Sequence, residues 1–477
     1  MSLMSLTMKV RLSLIAALGL ALLLARVVLT AGDKDSPRPA PPAAASPLPA
    51  GEAAAAEGVI RFLSERVRRD PDDHASQNQL AGYYLLRARA TGSQDDLALA
   101  FRAARASLRS VGAERNAGGL AVLAQAELAS HAFQEARDHA LQLARLMPDR
   151  SAPYEILGDA LLEMGEYERA AAAFQQMAER RGGGGSVETE TRFARLALLH
   201  GDTGTGERRL KTALALARHL APPSRETIAW CHWQLGETAF SVGDYARAQS
   251  HCRDALATFS DYAPARASLG RVRAARGDRV GAIAEYERAV RLLPDNLVFV
   301  AALGDLYHLA GRPGDARTQY ARVEEIGRPD KTDKKGGAPF ERPLALFYAD
   351  HDRHALEAYA NAARVYKERP DIYGADILAW TALKAGKIAQ ARAAIKAALR
   401  LGTQDARFFY HAGLIARAGG DERTARAYLR RALALSPRFD PMQATNARKA
   451  LEDGGAEAPA ATAATIRRAR DRKRIGS

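Results

Sequence analysis

An interval of 34 residues recurs along this chain and restricts it to a repetitive helical architecture. Gly243, Gly277 and Gly311 are spaced by it, as are Gly386 and Gly420, and His131 and Gly165. An alanine-centred helical pattern follows each of them. With that turn taken as position fifteen of a unit, position eight is always small: Ala124, Gly158, Ala194, Gly236, Gly270, Gly304, Ala379 and Gly413. Position twenty is small again, at Ala136, Ala170, Gly206, Ala248, Ala282, Ala316, Ala391 and Ala425. Small side chains at these two positions let antiparallel helices approach closely. Large ones at position seven (Leu157, Leu235, Leu269) and position 24 (Phe174, Tyr286, Tyr320, Leu429) then fill the space between neighbours. Pro148, Pro294 and Pro437 stop the second helix. One such unit cannot bury its own apolar face, so stacking has to supply the core.

The period and these small and large positions resemble the tetratricopeptide repeat, over roughly residues 58–440. The resemblance implies an all-α fold, a right-handed α-solenoid of about ten helix–turn–helix repeats. Two units are degenerate: residues 74–110 carry an insertion (ATGSQDD), and residues 339–371 have Asp350-His351-Asp352-Arg353 where the turn glycine belongs. Register slips at Gly182–Ser186 and at residues 327–342, which divides the array into blocks at 58–186, 187–326 and 343–452, the last ending in a polar capping helix. Residues 327–342 are expected to form a flexible charged loop.

The ends have a different character. Lys9 and Arg11 precede a fourteen-residue apolar run from Leu12 to Ala25, and Arg26 interrupts it before Val27, Val28 and Leu29. Residues 1–31 are therefore expected to be a signal peptide or an N-terminal membrane anchor, which places the remainder outside the cytoplasm, periplasmic or otherwise extracytoplasmic. Residues 32–57 read as a Pro/Ala-rich disordered tether and 453–477 as a disordered basic tail. The formal charge of +14 points at first to nucleic acid. Residues 466–477 hold six basic residues against one acidic, and residues 1–50 five against two, so the repeats themselves are nearly balanced. That distribution argues against nucleic acid as a partner.

In tetratricopeptide-repeat proteins ligands usually lie on the concave face, lined by the first helix of each repeat. Helical geometry puts positions two, five, nine and twelve there. Trp230, Trp233, Glu237 and Phe240 hold them in one repeat, and Tyr373, Asp376 and Trp380 in another; Asp305, His308 and Tyr410 join from two more. These ten residues are the expected partner-binding set. Aromatics concentrate binding energy, but the same rings would also serve to pack one repeat on the next. The Lys/Asn/Arg clamp that some members use for a C-terminal carboxylate is not present at these positions.

Chemistry is sparse. Two cysteines among 477 residues exclude a disulfide framework and any multi-cysteine metal site. Cys231-His232 and His251-Cys252 face each other across one repeat, but adjacent helical residues diverge by about 100°, so the four cannot converge on one ion. His351 and His354, at an i,i+3 spacing, would share a helix face and bind a metal beside Asp350 and Asp352. A solvated turn is the simpler reading. No phosphate-binding glycine loop, HExxH or nucleophile elbow occurs. No enzyme, cofactor, metal or small-molecule substrate is expected. The expected function is a protein-interaction scaffold or assembly factor of the cell envelope that holds a peptide or protein partner. The alternatives are metal-dependent chemistry at Asp350–His354, or binding of an anionic surface or nucleic acid by the basic tail.

Overall fold

The computed structural model describes residues 50–453 except 92, 184, 221–222 and 329–340. The N-terminal apolar run, most of the tether, most of the 327–342 insertion and the basic tail lie outside the described residues. Among those described, no strand occurs and no helix is long and apolar enough to cross a membrane.

Helix α1 (Ala50–Arg69) precedes ten helical hairpins. These are α2 (His74–Thr91) with α3 (Gln94–Ser110), α4 (Ala117–Ala129) with α5 (Phe133–Leu146), and α6 (Ser151–Glu163) with α7 (Tyr167–Arg180). Next come α8 (Val187–Leu199) with α9 (Thr203–Arg218), α10 (Arg225–Ser241) with α11 (Tyr245–Thr258), and α12 (Ala263–Ala275) with α13 (Arg279–Leu292). The array continues through α14 (Leu297–Leu309) with α15 (Pro313–Ile326), α16 (Glu341–Asp350) with α17 (Ala355–Glu368), α18 (Ile372–Lys384) with α19 (Ile388–Ala398), and α20 (Ala406–Ala418) with α21 (Glu422–Leu435). Helix α22 (Gln443–Asp453) packs on the last hairpin. Helix starts are capped where the sequence supplies an acceptor: Asp244, Asp278 and Asp421 each accept a backbone N–H three residues on.

The segment read as a tether to residue 57 gives way to helix at Ala50, because residues 51–58 (GEAAAAEG) lack proline and are rich in helix-favouring Ala and Glu. The close helix approach takes its expected form. A Cβ built on Gly158 would lie 2.3 Å from the ring of Phe174, so only glycine admits that ring at position 24. At the turns, His131 takes the left-handed conformation (φ 64°) that the aligned glycines take, and so does Asp352 (φ 53°) in the repeat without a glycine.

Buried clusters run across the expected block boundaries. A single buried cluster runs from Ala263 to Ala362, carrying Tyr320 and Val323 onto Phe347 and Tyr348 across the 327–342 insertion. Another unites Leu120–Leu199 with Ile372–Ile415, repeats that are far apart in the chain. The array coils until its C-terminal repeats meet its N-terminal ones edge to edge. Along this seam the Ile372 N–H donates to the Tyr167 hydroxyl (2.9 Å), Arg369 pairs with Glu163, and Thr403 Oγ1 donates to the Leu199 carbonyl. Farther on, Tyr245 and Ser436 share a hydroxyl hydrogen bond of 2.9 Å, and Arg438 donates to the Ala275 carbonyl (2.8 Å).

Candidate functional site: the enclosed concave face

Because the seam joins one coil to the next, first helices that are far apart in the chain come near one another. Charged side chains from opposite walls come within electrostatic reach of one another. Arg89 of α2 is acted on by Glu226 of α10, and burial holds its guanidinium below the usual arginine range. Tyr373 of α18 is 45% exposed, yet burial, with Asp405 beside it, pushes its phenol well up, and Arg195 of α8 acts on it from across the seam.

The wall is laced with ion pairs between successive first helices. Arg192 donates to Asp159 (2.6 Å) and Glu155 (3.0 Å), and Glu155 also accepts from Arg181 (2.9 Å). Burial raises the Asp159 and Glu188 carboxyls despite these arginines. Arg407 is flanked by Asp350, Asp440, Asp405 and Asp376, which hold its charge firmly against the cost of burial. Both signs of charge therefore occur among these first-helix side chains.

The ten residues expected to bind a partner divide by burial. Trp380, Tyr410, Asp376 and Phe240 are buried between repeats. Trp380 stacks on His411 at 4.2 Å and donates Nε1–H to Asp350 (2.8 Å), while Asp376 pairs with His411 Nδ1 (2.9 Å). Phe240 lies under the Arg271 guanidinium at 4.2 Å. Trp233 is half-buried and donates to Ser268 (2.9 Å), which donates in turn to Glu237 (2.6 Å). Trp230 is half-buried, and its Nε1–H makes no hydrogen bond among the described residues. Asp305 accepts from the Tyr320 hydroxyl and from His351 Nε2, both at 2.8 Å, whereas His308 is exposed. Tyr373 is therefore the most open aromatic of the set. Arg195, which acts on it from across the seam, was not legible as its neighbour in the sequence because the two lie in distant repeats.

His351 and His354 do not share a helix face. Helix α16 ends at Asp350, and the chain turns through left-handed conformations at Asp352 and His354 (φ 53° and 43°). His351 donates Nδ1–H to the Phe347 carbonyl (2.8 Å) and Nε2–H to Asp305, so both nitrogens are occupied. Burial opposes its charge, but the Asp305 carboxylate outweighs that and raises the imidazole above its usual range. Asp350 accepts from Trp380 and from Gln443 Nε2 (2.9 Å), tying α16 to α18 and α22. The Asp350–His354 segment thus holds repeats together.

Cys231 and Cys252 are buried free thiols in the repeat core, and burial pushes both up to about 12. Their neighbours His232 and His251 turn the other way, toward each other and toward Asp254. The 100° divergence of adjacent helical residues separates each Cys from its neighbouring His, as expected.

The architecture defines an all-α helical repeat solenoid. The tetratricopeptide repeat family model matches residues 233–296 and 378–438, two stretches within the array of hairpins. The cellulose synthase operon protein C of Xanthomonas axonopodis pv. citri (strain 306) is 28% identical over 276 residues, covering 56% of this chain; the chain spans 17% of the length of that relative. Among solved structures, MamA is 21% identical, covering 36% of this chain and 94% of its own, with a TM-score of 0.29. A chain of the APC/C hetero-tetramer Cut9–Hcn1 is 14% identical, covering 84% of this chain and 95% of its own, with a TM-score of 0.35. Proteins built of these repeats generally bind other proteins, and a protein-interaction scaffold is the role this fold supports.

Proposed function

We propose that this protein holds an extended segment of a partner protein in its lumen and acts as an assembly factor in the cell envelope. The observation that carries the reading is Tyr373: a first-helix aromatic left nearly half exposed, with Asp405 and, from across the seam, Arg195 acting on it. An extended chain offers backbone donors and acceptors along its length, which a wall of alternating charge can engage at many points. The wall is already ordered by its own ion pairs, so little interface entropy is lost on binding. The envelope setting is supported by the N-terminal basic and apolar run, which reads as an export signal or anchor, and agrees with the cellulose synthase operon relative.

A photo-crosslinking side chain placed at position 373 in cells tests this. It is expected to trap a protein partner, whereas the same group at Val280, 83% exposed on a second helix, traps none. Equal labelling from both positions, or none from position 373, removes the lumen as the binding site.

A further inference from the structure

We propose that His232, His251 and Asp254 form a binding site for a divalent transition ion of the zinc type, clipping α10 to α11 within one repeat. The three ligand atoms lie within 4.8 Å of one another. The two Nδ1 atoms are 3.5 Å apart, and Asp254 Oδ2 is 3.8 Å from His232 Nδ1. Two nitrogens each about 2.0–2.1 Å from a tetrahedral ion stand roughly 3.4 Å apart, so the histidines need almost no movement to share one. His232 is buried and His251 half-buried, while the Asp254 side chain is half exposed. The site therefore opens to solvent on its carboxylate side, where a water completes the fourth position. Two imidazoles and a carboxylate are a borderline donor set that favours zinc and its first-row neighbours over calcium or magnesium.

The surrounding charges permit this arrangement. Lys211 and Arg247, the cations nearest His251, are both tied to Glu207, at 2.8 and 2.9 Å. The ion pair with His232 is the only one Asp254 makes among the described residues. One group competes. Arg218 Nη2 donates to His232 Nε2 at 3.1 Å, whereas an ion on Nδ1 requires the ring proton to sit on Nε2. Arg218 is exposed at the last turn of α9, so it can swing into solvent when the ion enters.

This competition makes the assignment testable on the full-length chain without a histidine tag, stripped with chelator and titrated calorimetrically with Zn2+. One equivalent is expected to bind, and Co2+ in its place should give the intense visible absorption of four-coordination. His251→Ala, at a half-buried position that need not disturb folding, should weaken Zn2+ binding by more than about a hundredfold, since loss of a ligand exceeds the 10–100-fold cost of losing an outer-shell partner. Its helicity and chelated-state Tm should stay those of the parent. Arg218→Gln should tighten binding by about tenfold, because the amide oxygen can accept the Nε2 proton that the guanidinium cannot. The assignment is overturned if the parent binds no stoichiometric Zn2+, if His251→Ala binds as tightly as the parent, or if Arg218→Gln weakens binding.

Discussion

Gly165 and Gly311 occupy the same position of the same repeat, with nearly the same backbone (φ 74° and 72°), yet they hold different places in the molecule. Among the described residues, nothing lies within contact distance of a Cβ built on Gly311, nor on Gly277, Gly386 or Gly420. A Cβ on Gly165 would lie 2.6 Å from the Pro370 carbonyl, and one on Gly201 would lie 2.5 Å from that of Gly402. The open turns need glycine for the left-handed backbone alone. The seam turns need it also because another coil of the same solenoid lies against them. A single repeat pattern therefore serves two levels of structure, and only the first is written within each repeat.

The largest expected effect separates these levels directly. Gly311→Ala should cost about 1 kcal/mol, the price of a Cβ in the left-handed region. Gly165→Ala and Gly201→Ala add overlap with rigid backbone and should cost roughly 2–4 kcal/mol in total. Chemical denaturation of the three variants measures the gap, and small-angle scattering should show an enlarged radius of gyration only for the seam variants. Equal losses at Gly165 and Gly311 would mean that the coil is not closed in solution.

A smaller effect tests the seam without a clash. Tyr167→Phe leaves the buried Ile372 N–H without its acceptor, for about 1–2 kcal/mol. Tyr154→Phe is the comparison: its hydroxyl donates to the Pro148 carbonyl at an exposed site, and its removal should cost under about 0.5 kcal/mol. A Tyr167→Phe variant as stable as Tyr154→Phe would mean that this seam contact adds nothing.

The contrast also explains what the sequence disclosed. Helix pairing within a repeat joins residues sixteen apart, such as Gly158 and Phe174, so their sizes declare each other. The seam joins Tyr167 to Ile372 and Tyr245 to Arg438 through the accumulated rotation of every intervening repeat, and no local pattern records that sum. The candidate site follows the same rule. Tyr373 and Trp380 were legible as first-helix residues, but Trp380 is buried because His411 of the next repeat stacks on it. His232 and His251 were legible as an apposed pair. Asp254 was not, because an acidic residue on an alanine-rich helix resembles any solvated one.

Acid should loosen the seam before the open repeats. Burial disfavours the Glu163 carboxylate, but Arg195 and Arg369 overcome this and hold it down to about 2, against an ordinary 4.5. A lowered carboxyl contributes stability that is complete above its unfolded value and is lost as pH falls toward its folded one. Seam stability should therefore decline between about pH 4.5 and 2. Glu163→Gln should flatten that decline, as followed by hydrogen exchange at the Ile372 amide against amides of α14.

The smallest effect runs in the opposite direction and lies away from the seam. His351, charged between Asp305 and the Phe347 carbonyl, has its folded value raised above the ordinary 6.5. Its contribution is complete below the unfolded value and fades as pH rises through the folded one. The α14–α16 contact should weaken by at most about 1 kcal/mol as pH rises above the ordinary 6.5, and His351→Gln should abolish that slope while leaving the acid limb set by Glu163 in place. Hydrogen exchange resolved by repeat separates the two titrations: an alkaline loss centred on α16 and an acid loss centred on Ile372. If both losses appeared uniformly along the chain, the solenoid would be unfolding as one cooperative unit, and the seam would be no more separable than any other contact between repeats.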